Sequence, residues 1–398
     1  MRSRWLTLSE VGHQDVAVGM LREGQLELAY QRLTQMRHEG VKVQPWLYDM
    51  AVYALLEAEE LEEAMSMIKV RIQSGEYNLS KNVWHQLLEQ ASSAFHHAAT
   101  SFAWQSQVVP AYIQPSLGVC QNVLATAARY GDVKLATEVF RQLGERATIF
   151  TAMHYEELLK TYMNAEKIDL RAALSILVIM ADGNIMPTPA CTRPLFIHFQ
   201  HHPKSIQEAV HVLHDLRTQH RQVPLAALNL LLEAFAADKD FEQALNLYKI
   251  MHTFEPQEEG GMSRKLMANV DTFNSLYRAA RMTKPPSIDA AMFLASEQLA
   301  LGVVPNRITY DRLMLLCLEA GRVEDAWKYL MEMDEQDWLP RMGSLRHLAK
   351  KLAGQHDERC WDVVQRIKDA GGGAESMIEE FERAQQESPV QPEARPAA

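Results

Sequence analysis

With 398 residues, the chain is long enough for two or three ordinary domains or for one extended array. An apolar content of 47% supplies a core, while 18 Gly and 16 Pro are too few for a loop-rich all-β protein. The formal charge of −11 excludes a general positive field that would hold nucleic acid anywhere on the surface, so any nucleic-acid strand must find a local groove.

Four cysteines, Cys120, Cys191, Cys317 and Cys360, lie far apart with no CxxC pair. They form neither a disulfide scaffold nor a zinc ribbon, and they predict buried thiols in a reducing compartment. No run approaches the roughly 18–20 apolar residues that a membrane span needs. The best candidate, "LRAALSILVIMA" at 170–181, is short and carries Arg171. At the start, "MRSRWLTLSEVG" has two arginines and a few hydroxyls, but Glu10 interrupts it early, so a complete transit peptide is not expected in this stretch.

After a lead-in at 1–9, the chain reads as a repeat. "WLYDMAVYALLEAEELEEAMSMI" at 46–68 returns as "ITYDRLMLLCLEAGRVEDAWKYL" at 308–330, with Tyr48-Asp49 answered by Tyr310-Asp311 at an offset of 262 residues. Alanines in a matching context recur at Ala29, Ala64, Ala99, Ala136, Ala173, Ala209, Ala244, Ala291 and Ala326, with steps of 35, 35, 37, 37, 36, 35, 47 and 35. A period of this length marks an array of stacked supersecondary units. The units are delimited as 10–44, 45–80, 81–116, 117–151, 152–188, 189–224, 225–269, 270–306 and 307–341. The long step contains "FEPQEEGGMSRKLMAN" at 254–269, which reads as a surface insertion, and 81–116 is the least regular unit.

Each unit carries two helical patterns. In 307–341, Ile308, Leu313, Leu316 and Cys317 recur at helical spacing, and Gly321 breaks the helix by taking left-handed backbone angles at low cost. Val323, Ala326, Trp327 and Leu330 then form the stripe of a second helix, which stops before Pro340. Gly24 and Gly131 hold the same breaker position, and Pro187, Pro224 and Pro305 close their units because proline cannot continue a helix. The small alanine lets two helix axes approach to about 8–10 Å. One short hairpin cannot bury its apolar faces alone, so stability must come from stacking each pair on the next. A more polar pair at 342–370 reads as a terminal cap, and 371–398, rich in Gly, Glu and Pro, as mostly disordered. The fold class expected is all-α, an α-solenoid of about nine to ten helix-turn-helix repeats.

The unit openings "ITYDRL", "VDTFNSL", "WLYDMA" and "MHYEEL", with the closings "LGVVPN", "DWLPR" and "NIMPT", resemble the pentatricopeptide repeat family, whose units begin Val-Thr-Tyr-Asn and end Gly-Ile-x-Pro-Asp. The Trp, Leu-Gly and Tyr of the tetratricopeptide pattern are missing. The resemblance spans about 10–341, is closest in 270–341 and is poor in 81–116. It implies a right-handed superhelix whose groove takes single-stranded RNA, in mitochondria or plastids, with one base per repeat addressed by the fifth residue of the first helix and the last residue of the unit. The fifth residues are then Gln14, Asp49, His85, Gln121, Glu156, Arg193, Asn229, Asn274 and Asp311. The candidate RNA contacts are Asn229 with Asn269, Asn274 with Asn306, Asp311 with Arg341, Asp49 with Ser80, and Arg193. Amide side chains can both donate and accept along a base edge. No unit ends in the family's Asp and no fifth position holds Ser or Thr, so a short readable segment is expected rather than base-by-base readout along the whole array.

Other features have plainer readings. His198, His201, His202, His211, His214 and His220 crowd one stretch, but zinc needs about four convergent ligands and no cysteine or paired carboxylate joins them at ligand spacing. That stretch, with Arg193, Lys204, Arg217 and Arg221, is the least acidic part of the array and is expected to face RNA. The acidic run "EAEELEEA" at 57–64 is a helix-turn-helix surface that could also meet a basic protein partner. No HExxH, Walker loop, GxSxG or deaminase signature occurs, so no enzyme, metal or cofactor is expected. A second functional class stays open: a protein-binding scaffold, ribosome-associated or assembling a complex, that keeps the solenoid without base readout.

Overall fold

The computed structural model describes residues 8–73, 75, 78–254 and 268–371, and these form twenty α-helices with no strand among them. Two compact units divide the chain, residues 1–170 and 171–398. The first contains α1 (Glu10–Arg22), α2 (Leu26–His38), α3 (Pro45–Glu57), α4 (Leu61–Gln73), α5 (Lys81–Ser93), α6 (His97–Ala103), α7 (Leu117–Tyr130), α8 (Val133–Glu145) and α9 (Ala152–Asn164). At the division begins α10 (Leu170–Asp182), followed by α11 (Pro189–His201), α12 (Lys204–Thr218), α13 (Leu225–Asp238), α14 (Phe241–Ile250), α15 (Val270–Met282) and α16 (Ile288–Ala300). The second unit ends with α17 (Arg307–Glu319), α18 (Val323–Glu335), α19 (Met342–Gly354) and α20 (Cys360–Asp369).

Within the first unit, α1, α3, α5, α7 and α9 each pack on the next, and within the second α11, α13, α15, α17 and α19 do the same. Within each unit a first helix also packs on its own partner, as α7 on α8 and α17 on α18. Hairpins stacked in chain order are the solenoid arrangement, in which each repeat is stabilised by its neighbours. Side-chain caps define many of the helix starts. Ser116 accepts the Val119 N–H, Asp132 that of Leu135, Thr188 that of Cys191 and Asp240 that of Gln243. Each satisfies a donor that the first turn would otherwise leave unpaired.

All nine recurrent alanines, Ala29 through Ala326, are fully buried. Burial of a methyl-sized side chain once per unit accounts for the period, because a larger side chain at a helix crossing would hold the helices apart. The irregular unit departs for visible reasons. Helix α5 ends at Ser93, Phe95 turns the chain with a positive φ of 53°, and α6 lasts only seven residues before a π-helical turn at Trp104–Val108. Trp84 and Trp104 fill the space there, both fully buried. The insertion expected at 254–269 lies largely outside the described residues, at 255–267; Phe254 before it is buried. Residues 1–7 of the lead-in and 372–398 of the tail also lie outside them.

The four cysteines are buried. Burial pushes Cys120 and Cys360 up from the ordinary thiol range and Cys317 up to about 11, so little reactive thiolate forms at these three. Three imidazoles, His154, His198 and His347, are held below the usual histidine value of about 6.5, in each case first by burial. His154 Nδ1 accepts the Thr151 N–H at 3.1 Å in the cap of α9, a role that needs the neutral ring. Because their folded values are depressed, the unfolded chain takes up protons more readily. Their contribution is therefore intact above pH 6.5 and is lost as pH falls below it. Urea unfolding midpoints are expected to drop between pH 7.5 and 5.5, and His154→Gln is expected to flatten that slope. Equal midpoints at the two pH values would contradict the assignment.

Candidate nucleic-acid interface

The fifth residue of a first helix lies one turn inside its N-terminus, where it can meet the cap of the next first helix. In four units the structure brings the two named residues together. Asp49 Oδ2 accepts the Ser80 N–H at 3.1 Å. Asn229 Nδ2 donates to Asn269 Oδ1 at 3.1 Å, and its Oδ1 accepts the Thr272 hydroxyl at 2.7 Å. Asn274 Nδ2 donates to Asn306 Oδ1 at 3.4 Å. Asp311 Oδ1 accepts the Arg341 N–H at 3.2 Å, with Arg341 Nε 3.8 Å from the other carboxylate oxygen.

The unit-final residues of the two amide pairs also cap helices. Asn269 Oδ1 accepts from the Thr272 N–H, while the Thr272 hydroxyl accepts the Asn269 N–H; Asn306 and Thr309 repeat this box at the start of α17. Both asparagine oxygens are thus committed to the cap. Hydrogen-bonding capacity remains in the Asn306 amide N–H groups, which donate to no described residue, and in Asn274 Oδ1, which is buried without a donor. A buried amide oxygen left unpaired costs about 1–3 kcal/mol relative to a satisfied one.

Elsewhere the paired positions do not meet. Arg193 is exposed on α11 and contacts no partner among the described residues, and Pro224 closes its unit without a side-chain donor. Gln14 reaches back to the Lys42 carbonyl at 3.4 Å, and Glu156 is engaged by Lys160 at 2.7 Å. The histidine stretch gathers no metal set: no group of three or more His, Cys, Asp or Glu converges among the described residues. Its basic neighbourhood is partly neutralised, with Arg221 paired to Asp182 at 2.7 Å and Arg171 to Asp215 at 3.1 Å.

Sequence reasoning named Asp311 and Arg341 but missed the arginine-lined cleft they belong to. Tyr277, Arg278 and Arg281 on α15, Asp311, Arg312 and Leu315 on α17, and Arg341 at the start of α19 line a space of about 300 Å³. Arg278 reaches Glu233 at 3.2 Å, and Arg312 donates to the Asn274 carbonyl. Arg281 has no carboxylate partner among the described residues. Burial, then the neighbouring Arg278, pushes the Arg312 guanidinium down to about 10. The spacing of 278 and 281 puts two arginines on one helical face, but nothing in the sequence announces that 312 and 341 join them.

No described helix is long and apolar enough to cross a membrane. A family model described as "Pentatricopeptide repeat-containing protein" matches residues 117–251, and the PPR repeat model matches 308–337. No curated protein matches the chain. Among solved structures, the pentatricopeptide repeat protein PPR10 from maize is similar over 96% of this chain and 57% of its own, at 15% identity and a TM-score of 0.46. The same protein in complex with an 18-nt psaJ RNA element aligns over 94% of this chain and 56% of that one, at 17% identity and 0.39. The PPR domain of Arabidopsis thaliana protein-only RNase P 1, in complex with tRNA, aligns over 59% of this chain and 97% of that one, at 13% identity and 0.30. The chain therefore spans just over half the length of the maize protein. Helical hairpins at this period, with the two matched family models, define a repeat protein of the α-solenoid class. Over residues 117–251 and 308–337 the chain carries pentatricopeptide repeats.

Proposed function

We propose that the protein binds single-stranded RNA through the amide pairs Asn229–Asn269 and Asn274–Asn306, one base at each, and acts in organellar RNA processing, stability or translation. The observation that carries this reading is the Asn274–Asn306 pair, where a buried acceptor without a donor sits beside an amide with spare donors. A base edge offers the complementary donor and acceptor. Asp49 with Ser80 and Asp311 with Arg341 are secondary contacts, and Arg193 a phosphate contact. Location in a mitochondrion or plastid follows the family's habit. Nothing in the motifs supports catalysis, and the function is read as binding without turnover.

The test is retention of a randomised pool of short single-stranded RNA by the purified protein at low salt. Asn274→Ala is expected to weaken binding by about 1–3 kcal/mol, on the scale of a lost base contact, and to relax preference at one position. Asn306→Asp keeps the capping oxygen and deletes the donors, so it is expected to lose affinity without loss of fold. Unchanged affinity in both variants would sink the base-reading role. The exposed acidic turn between α3 and α4, at 57–63, favours a second reading as a scaffold for a basic protein; a stable partner that survives nuclease treatment would support it.

A further inference from the structure

We propose that the cleft formed by Arg278, Arg281, Arg312 and Arg341 is an oxyanion site that takes a phosphate group of the bound strand; this rests on the RNA-binding reading and assigns the strand's backbone a seat of its own. Three observations carry it. The first is charge. Four guanidinium groups face Asp311 inside the cleft and Glu233 at its edge, which leaves a local excess of two positive charges in a chain whose total is −11. Like charges gathered in a partly enclosed space repel strongly, and the described protein supplies too few carboxylates to balance them.

The second is the state of the individual groups. Among the described residues Arg281 has no carboxylate partner, and the half-buried Arg312 has only a backbone carbonyl as hydrogen-bond partner. An arginine presents five donors in a planar fork suited to phosphate oxygens, so most of the donors here are unused. Burial first and the neighbouring Arg278 next lower the Arg312 guanidinium, and an anion in the cleft would oppose both.

The third is placement. Arg312 donates to the carbonyl of Asn274, and Arg278 follows Asn274 by one helical turn on α15. The arginines therefore adjoin the amide pair read above as a base contact, so a nucleotide whose base meets Asn274 and Asn306 has its phosphate beside the cleft. Asp311, whose carboxylate is buried and held by the Arg341 N–H, would anchor the arginine fork rather than touch the anion.

The experiment uses the full chain, with inorganic phosphate and synthetic RNA as probes. Inorganic phosphate is expected to raise the melting temperature above that in sodium chloride of equal ionic strength, and Arg281→Glu is expected to abolish the rise. Arg281 is chosen because its side chain makes no hydrogen bond or ion pair among the described residues, so Arg281→Ala should leave the circular dichroism spectrum unchanged. In salt titrations of RNA binding, Arg281→Ala is expected to reduce the slope of log K against log salt by about 0.7 for the lost phosphate contact. Strands with a 5′-phosphate and a 5′-hydroxyl distinguish the two sources: preference for the first assigns a terminal monoester, equal binding an internal diester. Absence of both phosphate protection and a slope change would overturn the site even if RNA binds well. Phosphate protection lost in Arg281→Glu, in a protein that retains no RNA, would keep the site and overturn the RNA reading instead.

Discussion

Gly131→Ala is expected to destabilise the first unit by about 2–4 kcal/mol, from backbone strain and a steric clash together. Gly131 ends α7 at φ +69°, a conformation that costs an L-residue with a β-carbon roughly 1–2 kcal/mol. The space around it is also closed. A β-carbon there would lie 2.3 Å from the Asn164 carbonyl oxygen and 2.8 Å from the Ala165 α-carbon, both backbone atoms at the end of α9. Asn164 cannot simply retreat, because its side-chain amide donates to the Ala128 carbonyl at 2.8 Å and ties the end of α9 to α7. Gly321→Ala is the matched control. Its φ is +76°, but nothing lies within 4 Å of the added carbon, so only the strain remains. Urea unfolding followed by helical circular dichroism should show the larger loss at 131. Equal losses at the two positions would mean that the approach of α9 to the α7–α8 turn is looser than described.

Asp311→Ala is expected to cost about 2–4 kcal/mol, below the full cost of breaking a buried ion pair because Arg341 is half exposed. The Asp311 carboxylate is almost wholly buried, accepts the N–H that begins the final hairpin, and is the one negative group lining the arginine cleft. Its removal leaves a backbone donor unpaired and the arginines facing one another. Asp311→Asn separates these effects, since it keeps an acceptor for the Arg341 N–H but discards the charge; it is expected to fall between wild type and alanine. Asp49→Ala, which loses the equivalent bond to the Ser80 N–H from a half-buried site, is expected to cost only about 0.5–1.5 kcal/mol. Thermal unfolding of the four proteins ranks them directly. A neutral Asp311→Ala would show that water or salt already compensates the cleft.

The repeat was legible in the sequence because it is written in local terms. A small residue at each crossing, a Tyr-Asp or Phe-Asn opening and a closing proline are properties of single units, and they recur in register. The amide pairs could be named on family resemblance alone, since residue 229 meets residue 269 only through the geometry of one hairpin against the next. Within the histidine-rich stretch, expected to face RNA as the least acidic part of the array, Arg221 finds Asp182 about one repeat away in the chain. The arginine cleft was legible only in part: Asp311 and Arg341 stand at the fifth and final positions that the period marks out, whereas Arg278, Arg281 and Arg312 join them only through the packing of two successive first helices.

Where the unit-final side chain caps the following helix, the alphabet available there is limited. Ser116, Thr188, Asn269 and Asn306 cap with a short side chain that carries an oxygen, whereas Gln44, Pro224 and Arg341 start their helices without a side-chain cap. On the base-reading proposal, any attempt to rewrite which nucleotide is selected at such a capping position is also an edit to the footing of the neighbouring repeat. Swaps among Asn, Asp, Ser and Thr leave that footing sound, whereas a long or oily replacement would loosen the next hairpin before it altered a preference.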